Sequence, residues 1–518
     1  MKGFSEKIFL IIEPPTEEDT RNYQRKIVQA LETQGYVNVK MPLKVLQRLL
    51  LVCKNGDYHV TVTLVYREDD WIITAVEEGD TRDSHYGLAV DYGSTTIIMQ
   101  LVNLNTGEVL AQAKEMNGQV KYGTDILTRI TYTMEDMEIG THMEDIQRAT
   151  IETFDKLLIC LAKETGIEAK NCPVLILSGN TTMIHFLLKL DAQTVFFSPY
   201  APVTMNPGWF WGKELGMSFE GMVYIIPAAS NYVGGDIVSG LLTMDFYRKD
   251  EIGLFFDIGT NGELVIGNKE WILAGAGAAG PALEGYISRY GVRAQDGAID
   301  MISIQGEQLH FTTIGNKKPI GICGSGIIDL LAQMRLNGWI NIAGELNPEA
   351  SPRIIYHEEE EEYVAVYAME DESATGELLY FSQTDIRQYI DTKAAAYTMI
   401  DCMLETAGCR EEDIAHCYLS GAFSAHSNLE SAITIGIFPD LPREKYTCIP
   451  NSSLDGARTL LLDRLRMADI HYLAETMYCV QFASIPDFII RMQAAKFIPH
   501  TDMRRYPTIE EKLNKEIF

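Results

Sequence analysis

The chain lacks the cysteine spacing of a metal or iron–sulfur site. Its nine cysteines are scattered over 518 residues, and no two of them form a Cys-x-x-Cys pair. The closest group, Cys402, Cys409 and Cys417, has neither zinc-finger nor ferredoxin spacing. We therefore expect the cysteines to be reduced and to act as small apolar side chains, as is usual in a cytoplasmic protein.

Long apolar runs and an excess of positive charge are also missing. The apolar segment Ile8–Ile12 ends at Glu13-Pro14-Pro15, which is too short for a signal peptide. No segment approaches the ~20 apolar residues that span a bilayer, so no membrane partner is predicted. Lys and Arg number 43 against 72 Asp and Glu, a net charge of −29. Nucleic acid phosphates would be repelled, which argues against a nucleic acid partner.

Two short turns carry most of the functional information: Asp91-Tyr-Gly-Ser-Thr-Thr and Asp257-Ile-Gly-Thr-Asn-Gly-Glu. Each follows an apolar run typical of a buried strand and precedes two further predicted strands. Glycine lets the backbone approach a phosphate, and neighbouring N–H and hydroxyl groups can cradle phosphate oxygens. An Asp at the end of the strand suits a hydrated Mg²⁺, so Asp91 and Asp257 are the predicted metal-binding residues, acting through water.

One Asp-x-Gly turn alone is a common hairpin signal. The paired arrangement, however, resembles the two phosphate loops of the actin, sugar-kinase and heat-shock-chaperone ATPase superfamily. This resemblance implies an α/β fold with two similar actin-like, ribonuclease-H-like ATPase domains that form a nucleotide cleft. A small N-terminal α+β domain precedes them.

The expected domain plan has four parts. Residues 1–15 form an extended lead-in, 16–83 the small α+β domain, 84–250 the first ATPase domain and 251–518 the second, whose C-terminal elements return to the first. Thr16, with Asp19 three residues later, predicts a helix start. The small residues of 226–242 predict a helix between the two large domains.

Several motifs occur in a particular order along the chain: Asp91-x-Gly-x-Thr-Thr, Gly179-Asn-Thr-Thr-Met, Val233-Gly-Gly-Asp-Ile, Asp257-Ile-Gly-Thr-Asn-Gly-Glu, Ala279-Gly-Pro-Ala-Leu-Glu-Gly, Gly321-Ile-Cys-Gly-Ser-Gly, Leu419-Ser-Gly-Ala-Phe and Pro499-His-Thr-Asp. Together they resemble the reductive activators of corrinoid proteins, over essentially the whole chain. Members of that family couple ATP hydrolysis to one-electron reduction of a Co(II) corrinoid on a methyl-transfer partner.

The resemblance implies roles for named residues. Asp91, Asp257 and, as a third acid near the metal or the attacking water, Asp236 would be catalytic. Segment 274–284 would line the ribose side, 420–423 would form the adenosine motif, and 227–242 and 451–457 would be hinge-like connectors. The residues implied to bind the nucleotide are Gly93, Ser94, Thr95, Thr96, Asn180, Thr181, Gly259, Thr260, Asn261, Gly262, Gly277, Gly280, Glu284, Gly324, Ser325, Ser420, Gly421, Ala422 and Phe423.

One departure from the family concerns the source of the electron for corrinoid reduction. Relatives usually carry an iron–sulfur domain, whose cysteine pattern is absent here. The expected cofactors are therefore ATP and Mg²⁺, with no iron–sulfur cluster in this chain. The expected partners are a corrinoid protein of a methyl-transfer system and a separate ferredoxin-like electron donor, and the relatives suggest a homodimer.

Two alternatives stay open on the residues alone. A small-molecule kinase on the same fold would need an acid placed to deprotonate a hydroxyl. A non-redox, ATP-dependent remodeller or sensor would need no cluster at all. Cobalt spectra with and without an added electron donor would separate the latter from an activator.

Overall fold

The computed structural model describes residues 2–259, 262–277, 287–421 and 428–515. The strands are β1 Ser5–Ile11, β2 Val39–Lys40, β3 His59–Arg67, β4 Asp70–Glu78, β5 Tyr86–Tyr92, β6 Thr96–Asn103, β7 Val109–Met116, β8 Val174–Gly179, β9 Gly208–Trp211, β10 Met222–Ile225, β11 Ile252–Ile258, β12 Gly262–Gly267, β13 Ile272–Gly277, β14 Ala298–Gln305, β15 Gln308–Thr313, β16 Gly321–Ile322, β17 Ile354–His357, β18 Glu362–Ala368, β19 Leu379–Ser382, β20 Ile414–Ser420, β21 Tyr446–Cys448 and β22 Tyr478–Val480. The α-helices are α1 Tyr23–Thr33, α2 Leu43–Asn55, α3 Ile126–Met134, α4 Thr141–Thr165, α5 Thr181–Leu187, α6 Gln193–Phe196, α7 Gly235–Leu241, α8 Gly324–Leu336, α9 Gln383–Ala407, α10 Leu429–Thr434, α11 Ser452–Leu462, α12 Met467–Thr476, α13 Phe488–Ala495 and α14 Pro507–Lys515.

The chain divides into two units. The first unit comprises residues 1–244 and 452–476, and the second comprises 245–451 and 477–518. Helices α11 and α12 therefore pack with the N-terminal part of the chain although they come late in the sequence. Within the described residues, no helix is both long enough and apolar enough to cross a bilayer.

A small four-stranded sheet, in the order β1-β3-β4-β2, begins the first unit. Strand β1 pairs antiparallel with β3 along its whole length, so residues 5–11 belong to this sheet and are not a separate lead-in. The predicted helix start at Thr16 is wrong. Thr16 and Asp19 close a turn on each other, and α1 begins at Tyr23 because the Asn22 side chain accepts the Arg25 N–H at 2.8 Å.

The larger sheet of the first unit has the order β7-β6-β5-β8-β10-β9. Strands β5, β6 and β7 form an antiparallel meander, while β5, β8 and β10 run parallel. The 25-residue helix α4 packs on β7. Its Phe154 and Leu157 join Val90 and Leu177 in a buried apolar core, which fixes the sheet against the helix.

The second unit repeats this plan. Its six-stranded sheet has the order β21-β20-β11-β12-β13-β22, with β11, β12 and β13 as an antiparallel meander and β20 parallel to β11. The 25-residue helix α9, started by a Ser382–Asp385 capping box, packs on β13. Two three-stranded sheets, β15-β14-β16 and β17-β18-β19, lie between β13 and α9 in sequence. The predicted duplication of a strand–turn–strand–strand module is confirmed.

The predicted helix over 226–242 is shorter than expected. Only Gly235–Leu241 are helical. The N–H groups of Ala229 and Ser230 instead bond to the Val233 carbonyl at 2.9 and 3.1 Å, and this turn takes up the backbone groups that a longer helix would use.

Candidate active site

The first acid, Asp91, lies at the carboxyl end of β5. It pairs in register with Ile98 of β6 and with Ser178 of the parallel strand β8. The Ser453 hydroxyl, from α11, donates to Asp91 Oδ1 at 2.8 Å. A carboxylate at this edge of a parallel pair is where α/β sheets present ligand-binding groups.

Three serine side chains buried behind Asp91 connect the sheet to two helices. Ser178 Oγ lies 2.8 Å from Ser239 Oγ of α7 and 2.9 Å from Ser453 Oγ. Helix α11 approaches α7 so closely that a Cβ on Gly456 would overlap the Ser239 carbonyl oxygen. The predicted connectors 227–242 and 451–457 thus contain two helices in direct contact, and this contact brings Ser453 to Asp91.

The turn after Asp91 is held from behind through its carbonyl groups. Asn117 donates its side-chain N–H to Gly93 O at 3.0 Å and its backbone N–H to Thr95 O at 2.9 Å. Arg129 donates to Ser94 O at 2.8 Å. A Cβ on Gly93 would lie 2.5 Å from Thr96 O, so this tight turn requires glycine.

Unlike its backbone carbonyls, the side-chain hydroxyls of this turn are not engaged in hydrogen bonds with the described residues. Within the described residues, the side chains of Ser94, Thr95 and Thr96 make no hydrogen bond, and all three residues are partly exposed. They can therefore donate to an incoming phosphate without breaking an internal bond.

Asp236 and two of the other predicted binding residues, Asn180 and Thr181, all lie close to Gly234. A Cβ on Gly234 would lie 2.5 Å from Asn180 Cα, 2.7 Å from Asp236 Oδ1 and 2.9 Å from Thr181 N. The side chain of Asn180 caps α5 by accepting the Met183 N–H at 2.9 Å, and Thr181 donates to Ser230 O at 2.9 Å. These two side chains serve local structure, so a ligand would meet the backbone here.

The second acid, Asp257, occupies the equivalent place in the second unit. It pairs with Glu263 of β12 and with Ser420 of the parallel strand β20. Gly421 follows with φ +90°, and a Cβ there would overlap the Ile258 carbonyl oxygen and lie 2.7 Å from Asp257 Oδ1. Only glycine fits this position without strain.

The remaining predicted residues of the second unit are spread over several elements. Gly262 pairs with Gly277 across β12 and β13, and no atom of the described residues lies within 4 Å of where a Cβ on Gly259 would stand. Gly324 and Ser325 begin α8, which packs on β14, and Ser325 Oγ lies 3.3 Å from Cys323 Sγ. Six predicted residues fall outside the described part of the chain: Thr260, Asn261, Gly280, Glu284, Ala422 and Phe423.

The tripeptide Leu-Ser-Gly is a repeated feature that the sequence reasoning missed. Leu177-Ser178-Gly179 and Leu419-Ser420-Gly421 both end a buried strand, and in each sheet the serine is the register partner of the acid. Each glycine also approaches the carbonyl of the residue that follows the acid, Tyr92 or Ile258. The signal was available as an identical tripeptide after two apolar runs.

The donor set also bears on a metal ion. Among the described residues, no group of three or more His, Cys, Asp or Glu side chains is placed to hold a metal. Mg²⁺ commonly takes one or two carboxylates and completes its shell with water and substrate phosphates. A single strand-ending carboxylate such as Asp91 or Asp257 fits that requirement.

Three family models match the chain in succession. They are the RACo linker region over residues 1–83, the RACo middle region over 86–249 and the C-terminal domain of RACo, the ASKHA domain, over 251–510. ASKHA is the actin-like ATPase class, and the predicted fold class is thereby confirmed.

The chain is also similar to known proteins that act on corrinoids or corrinoid proteins. The corrinoid activation enzyme RamQ of Eubacterium limosum is 27% identical over 81% of this chain and 71% of its own length. A Co(II) methylated amine-specific corrinoid protein reductase of Methanosarcina barkeri is 22% identical over 83% of this chain and 84% of its own. A solved structure described as a reductive activator for corrinoid, iron-sulfur protein is 34% identical, covers 98% of this chain and 81% of its own, and superposes with a TM-score of 0.88.

Proposed function

Because the chain belongs to the RACo family of reductive activators, we propose that it binds and hydrolyses ATP to drive reduction of the Co(II) corrinoid of a methyl-transfer protein. The observation that carries this proposal is the duplicated acid. Asp91 and Asp257 each end the first strand of a meander, and each is paired with the serine of a Leu-Ser-Gly tripeptide.

The proposed ligand of both turns is ATP with Mg²⁺. When bound, the metal would neutralise phosphate charge and polarise the phosphoryl group that is transferred. Asp91 and Asp257 would hold its water shell, while Ser94, Thr95 and Thr96 donate their hydroxyls to phosphate oxygens. Phosphoryl transfer needs positioning and electrostatic stabilisation more than a covalent protein group.

The Asp91 carboxylate is held in a fixed orientation, which suits a residue that binds hydrated Mg²⁺. Its Oδ1 accepts the Ser453 hydroxyl at 2.8 Å, and Ser453 is held in turn by Ser178. This fixes the carboxylate before a ligand arrives, so that binding loses little rotamer freedom. Asp236, beside Asn180, is proposed as a third acid near the metal or the attacking water.

Electrons are proposed to come from a separate ferredoxin-like protein. None of the nine cysteines has cluster spacing, and Cys53, Cys172, Cys323, Cys402 and Cys417 are buried. The proposed domain plan is 84–250 for the first ATPase domain and 251–518 for the second, with C-terminal elements that return to the first, and a homodimer is the proposed assembly. Nucleotide turnover would act by changing affinity for the corrinoid partner.

Calorimetry and cobalt spectroscopy together test the proposal. The chain should bind Mg·ATP, and with an added low-potential donor and a Co(II) corrinoid protein it should produce the Co(I) spectrum only when ATP is hydrolysed. A non-hydrolysable analogue and the Asp91→Asn variant are the controls. ATP binding without any change in the cobalt spectrum would favour a remodeller, and absence of ATP binding would refute the nucleotide site.

A further inference from the structure

Arg129, on α3, is a buried cation behind the first turn. Its side chain is fully buried, at 0% exposure, and is among the largest buried side chains of the molecule. Helix α3 begins at Ile126, with Asp125 as its N-cap. A guanidinium with no access to water is unusual, because the charge loses its hydration.

The partners of Arg129 are three carbonyl groups and, at 3.8 Å from Nη1, the sulfur of Met183. Nη1 donates to Ser94 O at 2.8 Å and to Gln119 Oε1 at 3.2 Å, and Nε donates to Gly123 O at 2.9 Å. The Nη2 nitrogen is buried and has no hydrogen-bond partner among the described residues. These bonds tie the first turn to the segment that precedes α3.

Among the described residues, the charge of Arg129 is balanced only at a distance. Within the described residues, Arg129 forms no ion pair with an Asp or Glu. Asp125 is near enough to act on it electrostatically, but its carboxylate caps α3 by accepting the Thr128 N–H and hydroxyl. Burial lowers the pKa of Arg129 from its usual value, as desolvation of a cation should.

We propose that Arg129 is a positioning residue for phosphate at the first turn: it fixes the Ser94 carbonyl and supplies positive potential to the anion that the neighbouring hydroxyls receive. This inference rests on the proposed function, since the anion is the polyphosphate of ATP. An arginine suits the position because its planar fork reaches several carbonyls at once while the charge is kept.

Two variants separate the charge from the hydrogen bonds. Arg129→Gln keeps an amide that can donate to the Ser94 carbonyl but removes the charge, and Arg129→Lys keeps the charge with fewer donors. We expect Arg129→Gln to lower Mg·ATP affinity about tenfold while adenosine affinity changes less than about twofold, and Arg129→Lys to retain ATP affinity within about threefold. Isothermal calorimetry with ATP, adenosine and inorganic tripolyphosphate gives these ratios.

The control is Arg335→Gln in the second unit. Arg335 also donates to a backbone carbonyl, Ile498 O at 3.0 Å, and burial lowers its pKa too. The Arg335→Gln variant should leave the ratio of ATP affinity to adenosine affinity unchanged even if the protein becomes less stable. A general loss of folding would move ATP and adenosine together, so the ratio is a readout that a merely structural role does not change.

Each outcome decides between the claims. An Arg129→Gln protein with an unchanged ATP-to-adenosine ratio overturns the inference while the proposed function stands. If Arg129→Gln does not fold, an Arg129→Lys protein that loses ATP affinity tenfold or more overturns the electrostatic part. A wild-type protein that binds neither ATP nor tripolyphosphate overturns the proposed function, and this inference falls with it.

Discussion

The large sheets of the two units share the order of five strands but differ in the sixth strand, which lies beside β10 in the first unit and beside β13 in the second, and in the turn after the acid. In the first unit, Tyr92 pairs with Ile97, so residues 93–96 form the connection; in the second, Ile258 pairs with Gly262, which leaves residues 259–261. The acid and its serine partner keep the same register in both sheets. The geometry common to both units is therefore that of the parallel strand pair, while the turn length is free to vary.

One neighbour of each acid can be compared. Asp91 receives the hydroxyl of Ser453, a side chain from a helix late in the chain. Asp257 lies against the backbone of Gly421, whose φ is +90°. Substitutions at Ser453 and at Gly421 therefore test a different contact of each acid.

The largest effect should come from the acids themselves. Asp91→Asn and Asp257→Asn should each reduce Mg-dependent ATP turnover by at least about 100-fold, because a neutral amide holds hydrated Mg²⁺ poorly. In the Asp91→Asn variant the new amide oxygen can still accept the Ser453 hydroxyl, so the melting temperature should fall by less than about 2 °C. Turnover assays and thermal unfolding check both points. If only one acid matters for turnover, the two turns are not functionally equivalent.

Glycine substitutions should show the next largest difference. Gly421→Ala combines left-handed backbone strain of about 1–2 kcal/mol with an overlap that costs about 1–3 kcal/mol more. Gly179→Ala, at the equivalent place, has no positive φ and places its Cβ 3.0 Å from Tyr92 O, so about 1 kcal/mol is expected. Urea unfolding of both variants gives the comparison, and equal losses would contradict it.

Acidification should weaken both units through buried histidines: His85 and His185 in the first unit and His500 in the second, with burial lowering the pKa of each. Burial, helped by the charge of Lys7, lowers the pKa of His85 to about 4, and burial with Arg505 lowers the pKa of His500 to about 4. Unfolded histidine titrates near 6.5, so this stability is complete above about pH 6.5 and is lost as the pH falls toward 4. His85 and His500 should each account for about 2 kcal/mol between pH 6.5 and 5.

The neutral variants His85→Gln and His500→Gln test this pH dependence separately. Each should flatten the fall in unfolding free energy between pH 6.5 and 5 by its own share, and the double variant should flatten it most. Urea unfolding at a series of pH values is the measurement. A wild-type slope retained in the double variant would assign the acid sensitivity to other groups, namely His185 or the carboxylates.

A small effect should come from the serine contact. Ser453→Ala removes the hydroxyl that donates to Asp91 and should cost about 1–2 kcal/mol of stability. It should also weaken Mg·ATP binding, because the carboxylate loses its fixed orientation. Ser239→Ala is the matched control: its hydroxyl lies in the same buried cluster and bonds to Ser178 and to the backbone carbonyls of Asp236 and Ser453, but to no carboxylate among the described residues, so only stability should fall. Equal changes in ATP affinity would argue against a special role for Ser453.

Much of the fold followed from local pattern. The apolar runs before Asp91 and Asp257 predicted buried strands, and the repeated turn predicted the duplicated module. Helix boundaries were less predictable. Thr16 with Asp19 has the composition of a helix start, yet Asn22 caps α1, because several polar residues compete for the same role and only the packed chain decides among them.

The residues of the candidate site likewise fall into those that the sequence predicted and those that it did not. The two acids, the glycine turns and the family could be read from the chain, because strand-ending carboxylates and glycine are properties of short segments. Ser453 and Arg129 could not, since they reach Asp91 and Ser94 from positions 362 and 35 residues away. The sequence by itself determined the duplicated strand–turn–strand–strand module and the acids in its turns. Only the tertiary structure decided that the Ser453 hydroxyl and the Arg129 guanidinium support the first turn, because those contacts depend on close packing in three dimensions.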